Sequence, residues 1–399
     1  MKNVLITSFD MEVGGVERSL LGMLNNFDHQ QFDLELFLYS QSGDFLDLLP
    51  PQVKLLDEVK EYKTVRLPIK QIFKLQMWAL GFARLMAKVS TLFNKNKESG
   101  YLQTQLIWKY CLPFLPSRKK QYDIAISYLW PHHYVAKKVQ ANVKIAWIHT
   151  DYSAIETDIE SDLLIWRDYD HIVSISDDCS TAFLKKYPSL QNKLIVIENI
   201  TAPDFIKEMS IVKFDNVFIQ KNFNLLTVGR LCHPKAIDNA IKALHLIHQK
   251  GFKDIKWYVI GDGPDKIFLE ELIKKQELTD SFILLGKINN PYPYIKQCDL
   301  YLQPSRYEGK SVAVTEAKIL AKPILVTNYP TAMSQINHSL DGMICENSIE
   351  DIAEAIINLY KNAKQRELLS DYCSTQNYNN AEELTKLYKI MNSTNLIDV

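Results

Sequence analysis

Two series of short apolar runs, each closed by a glycine or small polar turn and followed by residues at helical spacing, constrain this chain more than any other feature. The first opens with Val4-Leu5-Ile6, turns at Gly14-Gly15-Val16-Glu17-Arg18 and continues into Leu20, Leu21, Leu24 and Phe27 on one helical face. Further strands are expected at Phe32 to Tyr39, Ile124 to Tyr128, Lys144 to Ile148 and His171 to Ile175. The second series begins after residue 200. It comprises Leu225-Leu226-Thr227-Val228 before Gly229-Arg230, Trp257-Tyr258-Val259-Ile260 before Gly261-Asp262-Gly263-Pro264, Ile283-Leu284-Leu285 before Gly286, Leu300-Tyr301-Leu302 and Ile324-Leu325-Val326. Apolar strands alternating with helices imply a parallel sheet covered on both faces, and two such series imply two doubly wound α/β domains. The break falls near Asn199 to Asp204, where Pro203 and small polar residues interrupt both patterns. The expected domains are residues 1–200 and 201–375, with a closing helix within 376–399 that packs back on the first.

A chain of 399 residues exceeds what one hydrophobic core usually serves, which also favours two domains. An apolar fraction of 47% and a charged fraction of 23% are those of an ordinary soluble globular protein. The formal net charge of -1 argues against a general nucleic-acid binder. The six cysteines (Cys111, Cys179, Cys232, Cys298, Cys345, Cys373) are scattered, with no CxxC pair, and read as reduced residues. The first apolar run is too short for a signal peptide or membrane span, and no later run reaches spanning length without charge. The expected location is the cytoplasm.

One segment departs from the α/β rhythm. From Lys60 to Lys120 the basic residues are Lys60, Lys63, Arg66, Lys70, Lys74, Arg84, Lys88, Lys95, Lys97, Lys109, Arg118, Lys119 and Lys120, against only Glu61 and Glu98. Between them lie Leu67, Ile69, Ile72, Phe73, Leu75, Met77, Trp78, Leu80, Phe82, Leu85 and Met86. Basic helices with an aromatic-rich apolar face suit an anionic membrane surface, while the alternative is an ordinary domain helix with a solvated basic face.

The chemistry concentrates in Ser305-Arg306-Tyr307-Glu308-Gly309-Lys310-Ser311 and the following Val312-Ala313-Val314-Thr315-Glu316. Two carboxylates, Glu308 and Glu316, flank a small-residue turn that opens a helix. Gly309 allows close backbone approach, Ser311 can cap the helix, and the free N–H groups of the first turn would face an anion. Glu316 is placed to accept hydrogen bonds from a pair of hydroxyls. This reads as a site for a phosphate-linked sugar. Arg230 and Lys235 stand after another strand, where open α/β sheets bind ligands, and together look like a diphosphate clamp. His149 lies at the end of a first-domain strand in Trp147-Ile148-His149-Thr150-Asp151. Asp168-Tyr169-Asp170 is a literal Asp-x-Asp, but the basic pair already supplies compensating charge, so neither a metal nor another cofactor is expected. Gly261-Asp262-Gly263-Pro264 reads as a structural turn. No phosphate-binding Gly-Lys-Ser/Thr loop, HExxH or nucleophile elbow is present.

In order and spacing these elements resemble the retaining, GT-B type glycosyltransferases of family 4, particularly bacterial enzymes that build capsule, exopolysaccharide or wall glycans. The resemblance runs from Gly14 to about Asn362, strongest at Glu308 with Glu316 running into Ala317-Lys318-Ile319-Leu320-Ala321-Lys322-Pro323-Ile324. It implies two Rossmann-like domains facing across a cleft, and sugar transfer from a nucleotide donor, a uridine one by family frequency, to an acceptor hydroxyl. The Arg and Lys matching Arg230 and Lys235 would bind the diphosphate, Glu316 the ribose and Glu308 the donor sugar. Amides of Gly309, Lys310 and Ser311 would hold sugar or phosphate, His149 would contact the sugar, and Gly14-Gly15 would face the phosphates. The membrane-suited segment points to a lipid-linked glycan acceptor at the inner membrane face. Ala236 departs from the family's usual glycine, and Lys310 from a common aromatic. A nucleotide-sugar epimerase and a non-catalytic partner subunit of the same fold remain the alternatives.

Overall fold

The computed structural model describes residues 1–12, 14–92, 100–150, 152–218 and 221–392. Asp151, Lys95, Lys97 and Glu98 lie outside the described residues. The chain forms two compact units, Met1–Ile200 joined by the segment from Ala381, and Thr201–Asn380.

The first unit is built on β1 (Lys2–Ser8), β2 (Phe32–Leu38), β3 (Lys54–Leu55), β4 (Gln121–Ser127), β5 (Gln140–Ile148), β6 (His171–Ser174) and β7 (Leu194–Val196). They lie in the order β3-β2-β1-β4-β5-β6-β7, all pairs parallel. Side chains of successive strand residues enter opposite layers, as the pleat requires. Val4 and Ile6 join one core cluster with Leu34, Leu36, Ile124 and Ile126, while Leu5 joins the other with Phe37 and Ala125. The helix Glu383–Asn392 closes the first of these layers: Leu384, Leu387, Ile390 and Met391 are buried in it, and Tyr388 stacks on Phe32 at 5.2 Å.

The second unit carries β8 (Phe223–Val228), β9 (Ile255–Ile260), β10 (Phe282–Gly286), β11 (Leu300–Gln303), β12 (Ile324–Thr327) and β13 (Met343–Cys345) in the order β10-β9-β8-β11-β12-β13, again parallel. Leu225, Trp257 and Val259 face one layer, and Leu226, Tyr258 and Ile260 the other. In each unit the chain works outward from its first strand to one edge and then resumes on that strand's other side. The sheet order therefore reverses between β1 and β4, and between β8 and β11. A crevice at the carboxyl ends of two such strands is where open α/β sheets receive ligands.

The architecture is the pair of parallel-sheet α/β units that the alternating pattern predicts. Three strands escaped it, β3, β7 and β13, all two or three residues long at or near a sheet edge. Pro203 opens the helix Pro203–Met209, where its missing N–H costs nothing.

Candidate functional site

At the reversal point of the second unit, two loops are joined. One follows β8 and contains Gly229, Arg230 and the short turn His233–Lys235; the other follows β11 and contains Ser305 to Ser311. The first is fixed by glycine contacts with the turn after β9. A Cβ on Gly261, whose φ is +151°, would stand 1.9 Å from Gly229 O, and one on Gly263 would stand 2.3 Å from Leu231 O. Neither position admits another residue. Leu231 N donates to Asp262 O at 3.0 Å, and Asp265 N donates to Leu231 O at 3.1 Å. The Gly261 to Pro264 turn thus shapes the Arg230 loop without contributing a side chain to it.

Ala236 ends the His233–Lys235 turn in the left-handed conformation, φ +52° and ψ +37°, and is fully buried. This geometry explains why a glycine suits the position. Here an alanine takes it at a steric cost.

The Lys235 ammonium forms an ion pair with Glu308 Oε1. The same oxygen accepts from Ser305 Oγ at 2.7 Å and Gln303 Nε2 at 3.1 Å. Three donors on one oxygen lock the carboxylate, and Glu308 Oε2 carries no hydrogen bond among the described residues. The loop behind it is pinned at intervals. Thr327 Oγ1 donates to Ser305 O at 2.6 Å, Thr331 Oγ1 donates to Glu308 O at 3.1 Å, and Ser311 N donates to Gln335 Oε1 at 3.2 Å.

Sequence reasoning gave Arg306 no role, yet it ties the two loops together. Its N–H donates to Pro234 O at 2.8 Å and its Nη1 to His233 O at 2.7 Å. The guanidinium also grips both oxygens of Asp238, at 2.9 and 2.8 Å, in the planar fork that only arginine offers. Burial tends to raise the Asp238 carboxyl, but the Arg306 contact outweighs it and holds that group below its ordinary range. No local spacing signals a contact spanning 68 residues.

Ser311 occupies the residue before the helix Val312–Ile319, but its hydroxyl does not cap it. The hydroxyl points to Gln303 Oε1 at 3.4 Å, because Gln303 and Gln335 enclose the residue from both sides. The expected cap is therefore absent, and the first-turn N–H groups have no side-chain acceptor among the described residues, which suits an anion better than a capped terminus would. Glu316 is 2% exposed and accepts from Tyr292 OH at 3.0 Å. Gly309 and Lys310 are half-buried, and Arg230 is exposed. Both Arg230 and Lys235 act on the Cys232 thiol, which burial nonetheless pushes up, so two cations share one loop.

In the first unit, Gly14 precedes the helix Gly15–Asn26 in extended backbone, φ -157°. A Cβ on it would stand 2.1 Å from Glu17 Oε2. The Glu17 carboxylate thus folds over the turn expected to face phosphates, and an anion arriving there must displace it. His149 follows β5, its ring 4.6 Å from that of Tyr128 and parallel to Trp147 within 9° at 6.3 Å. Burial holds its pKa down at about 3, against a hydrogen bond with the Tyr128 backbone that pulls the other way. The imidazole is neutral near neutral pH, and its Nε2 has no hydrogen-bond partner.

Among the described residues, no group of three or more His, Cys, Asp or Glu stands where it could hold a metal ion. Asp168 pairs with Lys137 at 2.6 Å, and Asp170 accepts from Lys144 N at 2.8 Å, so both acids of the Asp-x-Asp are used within the fold.

The family of glycosyl transferases group 1 matches residues 209–376, which hold Arg230, Lys235, Glu308 and Glu316. The amylovoran biosynthesis glycosyltransferase AmsD of Erwinia amylovora is 30% identical over 170 residues, 43% of this chain and 46% of that relative. The match thus spans less than half the relative's length. Among solved structures, Anabaena HepE in complex with UDP and glucose superposes with a TM-score of 0.69 at 15% identity, over 98% of this chain and 100% of that one. Staphylococcus aureus TarM, in complex with Fondaparinux, alpha-GlcNAc-glycerol and UDP, gives 0.67 at 14% identity over 98% and 100%. At such identities the likeness establishes the fold, which is GT-B.

Proposed function

We propose that this protein, whose residues 209–376 match the glycosyl transferases group 1 family, transfers a sugar from a nucleotide donor to an acceptor hydroxyl in the synthesis of a surface polysaccharide or wall glycan. The observation that carries the reading is the joining of the Lys235 and Glu308 loops at the reversal point of the second unit's sheet. Arg230 and Lys235 bind the donor diphosphate and neutralise the charge that grows on the leaving group, a preorganised electrostatic contribution to the transition state. The uncapped first turn of Val312–Ile319 and the Gly309, Lys310 and Ser311 amides add donors for phosphate or sugar hydroxyls. Glu316 takes the ribose hydroxyls.

Glu308 turns its free Oε2 toward the donor sugar while Oε1 stays locked. When the diphosphate arrives, Lys235 gains a second anionic partner and can bridge it to Glu308. In the first unit, Gly14, Gly15 and the neutral His149 are assigned to the phosphates and the sugar. The donor is read as a UDP-sugar, in line with the UDP in the HepE and TarM structures. Transfer proceeds with retention and needs no metal. The acceptor is read as a lipid-linked glycan, and the segment 60–120 as the part that meets an anionic membrane at the inner face of the cell membrane.

The test is sugar transfer by Glu308→Gln and Arg230→Ala. Each is expected to lose turnover by about a hundredfold or more, the usual scale for removing a charge-stabilising group, with the fold intact. Near-normal transfer by both folded variants would dismiss the site. A product analysis with donor alone separates the epimerase alternative, which converts the donor without an acceptor.

A further inference from the structure

We propose that the outer face of the helix Trp78–Leu92 is a bilayer-inserting surface that docks this protein on an anionic lipid membrane. This deepens the reading of a lipid-linked acceptor and narrows the contact from sixty residues to one helical face. Trp78, Phe82, Leu85, Met86 and Val89 recur at i, i+4, i+7, i+8 and i+11, the spacing of a single face. All five are exposed, Trp78, Phe82 and Met86 by more than half (58%, 57% and 56%). The opposite face, Leu80, Ala83 and Ala87, is already buried in the first unit's core. An apolar stripe left exposed opposite a buried face marks a surface for a second apolar partner.

The stripe is also rigid. Phe73 lies over Gly81, where a Cβ would meet its ring at 2.6 Å, and its ring contacts those of Trp78 and Phe82, both at 5.5 Å. Two large aromatics are thereby held outward, the residue types that favour the bilayer interface.

Charge selects the occupant. No Asp or Glu occurs from residue 62 to residue 97. Lys70 and Lys74 on the preceding helix Ile69–Lys74, and Lys88 on this one, are exposed and have no acidic partner among the described residues. Much of the remaining positive charge in the segment is engaged inside the fold. Lys63 pairs with Glu58, Arg66 with Asp10, and Lys120 with Glu35, while Arg84 donates to Thr64 O and Val65 O. The apolar face expected of a basic amphipathic segment is thus a short stripe on the helix Trp78–Leu92, with Lys70, Lys74 and Lys88 among the exposed lysines. A second copy of the chain would bring the same three cations face to face, whereas anionic headgroups neutralise them.

The experiment is flotation of the full chain with vesicles of phosphatidylcholine and phosphatidylglycerol, with phosphatidylcholine alone as the comparison. Wild-type protein is expected to float with the anionic vesicles. Raising the salt to about 0.5 M should weaken this several-fold without abolishing it, because screening acts on the lysines and not on the inserted side chains. The variant Trp78→Ser, Phe82→Ser, Met86→Ser should bind about tenfold more weakly or worse, having lost three interfacial side chains. Its thermal unfolding should fall only slightly, since the replaced groups are more than half exposed and lose mainly their ring contacts with Phe73. Glu substitutions at Lys70, Lys74 and Lys88 should remove the preference for anionic lipid.

Wild-type protein that stays with the soluble fraction would overturn the proposal. So would triple-serine protein that floats as well as wild type, or a concentration-dependent dimer lost in the triple variant, which would make the stripe a face between copies. Flotation needs neither donor nor turnover, so its failure leaves the transferase reading standing, and failed transfer leaves this surface standing.

Discussion

Ala236 shows how a single backbone conformation carries the site. An alanine at φ +52° bears a left-handed penalty of about 1–2 kcal/mol, and it sits next to Lys235. Ala236→Gly removes that penalty but adds disorder to the unfolded chain worth about 0.4–1 kcal/mol, so a net stabilisation of about 0.5–1 kcal/mol is expected. Thermal or denaturant unfolding measures it directly. A destabilised glycine variant would mean that the alanine methyl packs well enough to outweigh its strain. The placement of Lys235, Glu308 and Glu316 was legible in the sequence because each lies beside a strand end or helix start that local pattern identifies. Arg306 was not, because its meaning comes from Asp238, 68 residues away. Ser311 was legible as a helix boundary and misread as a cap, because Gln303 and Gln335, which redirect its hydroxyl and occupy its backbone, come from a strand end and a distant short helix.

Elements of the first unit couple stability to pH. His132, His133 and His149 follow β4 and β5 and are held neutral by burial. His133 and His149 lie at about 3 and His132 is pushed well below its ordinary value. In the unfolded chain these side chains take up protons below about pH 6.5. Their folded pKa values are depressed, so the stability they confer is complete above about pH 6.5 and is lost as the pH falls toward 3. The slope is about 1.4 kcal/mol per pH unit for each histidine once the unfolded form is charged. Asp162 works in the opposite sense. Burial raises it to about 6, so below that value the folded state holds a proton the unfolded state gives up, offsetting about one histidine. The net expectation is an unfolding midpoint level above about pH 7 and dropping steadily below about pH 6. A midpoint unchanged between about pH 7 and pH 5 would contradict the buried neutral histidines.

At the scale of the molecule, two sheets repeat one logic, each reversing beside its first strand. That much followed from the alternation of apolar runs and helical spacing, since parallel strands buried on both faces need no finer signal. Edge strands as short as Lys54–Leu55 were beyond it, because two residues show no period. The helix Glu383–Asn392 returns to the first unit, where its apolar face covers the layer of Val4 and Ile6. The claim on which the rest depends is that the joined loops of the second unit bind a nucleoside diphosphate. Calorimetric titration of UDP into wild-type protein and into Lys235→Ala tests it most directly. The account predicts one site per chain in the wild type and binding at least about tenfold weaker in the variant, the loss of one charge-assisted contact. Folded wild-type protein that does not bind UDP, or a variant that binds it equally well, would contradict it.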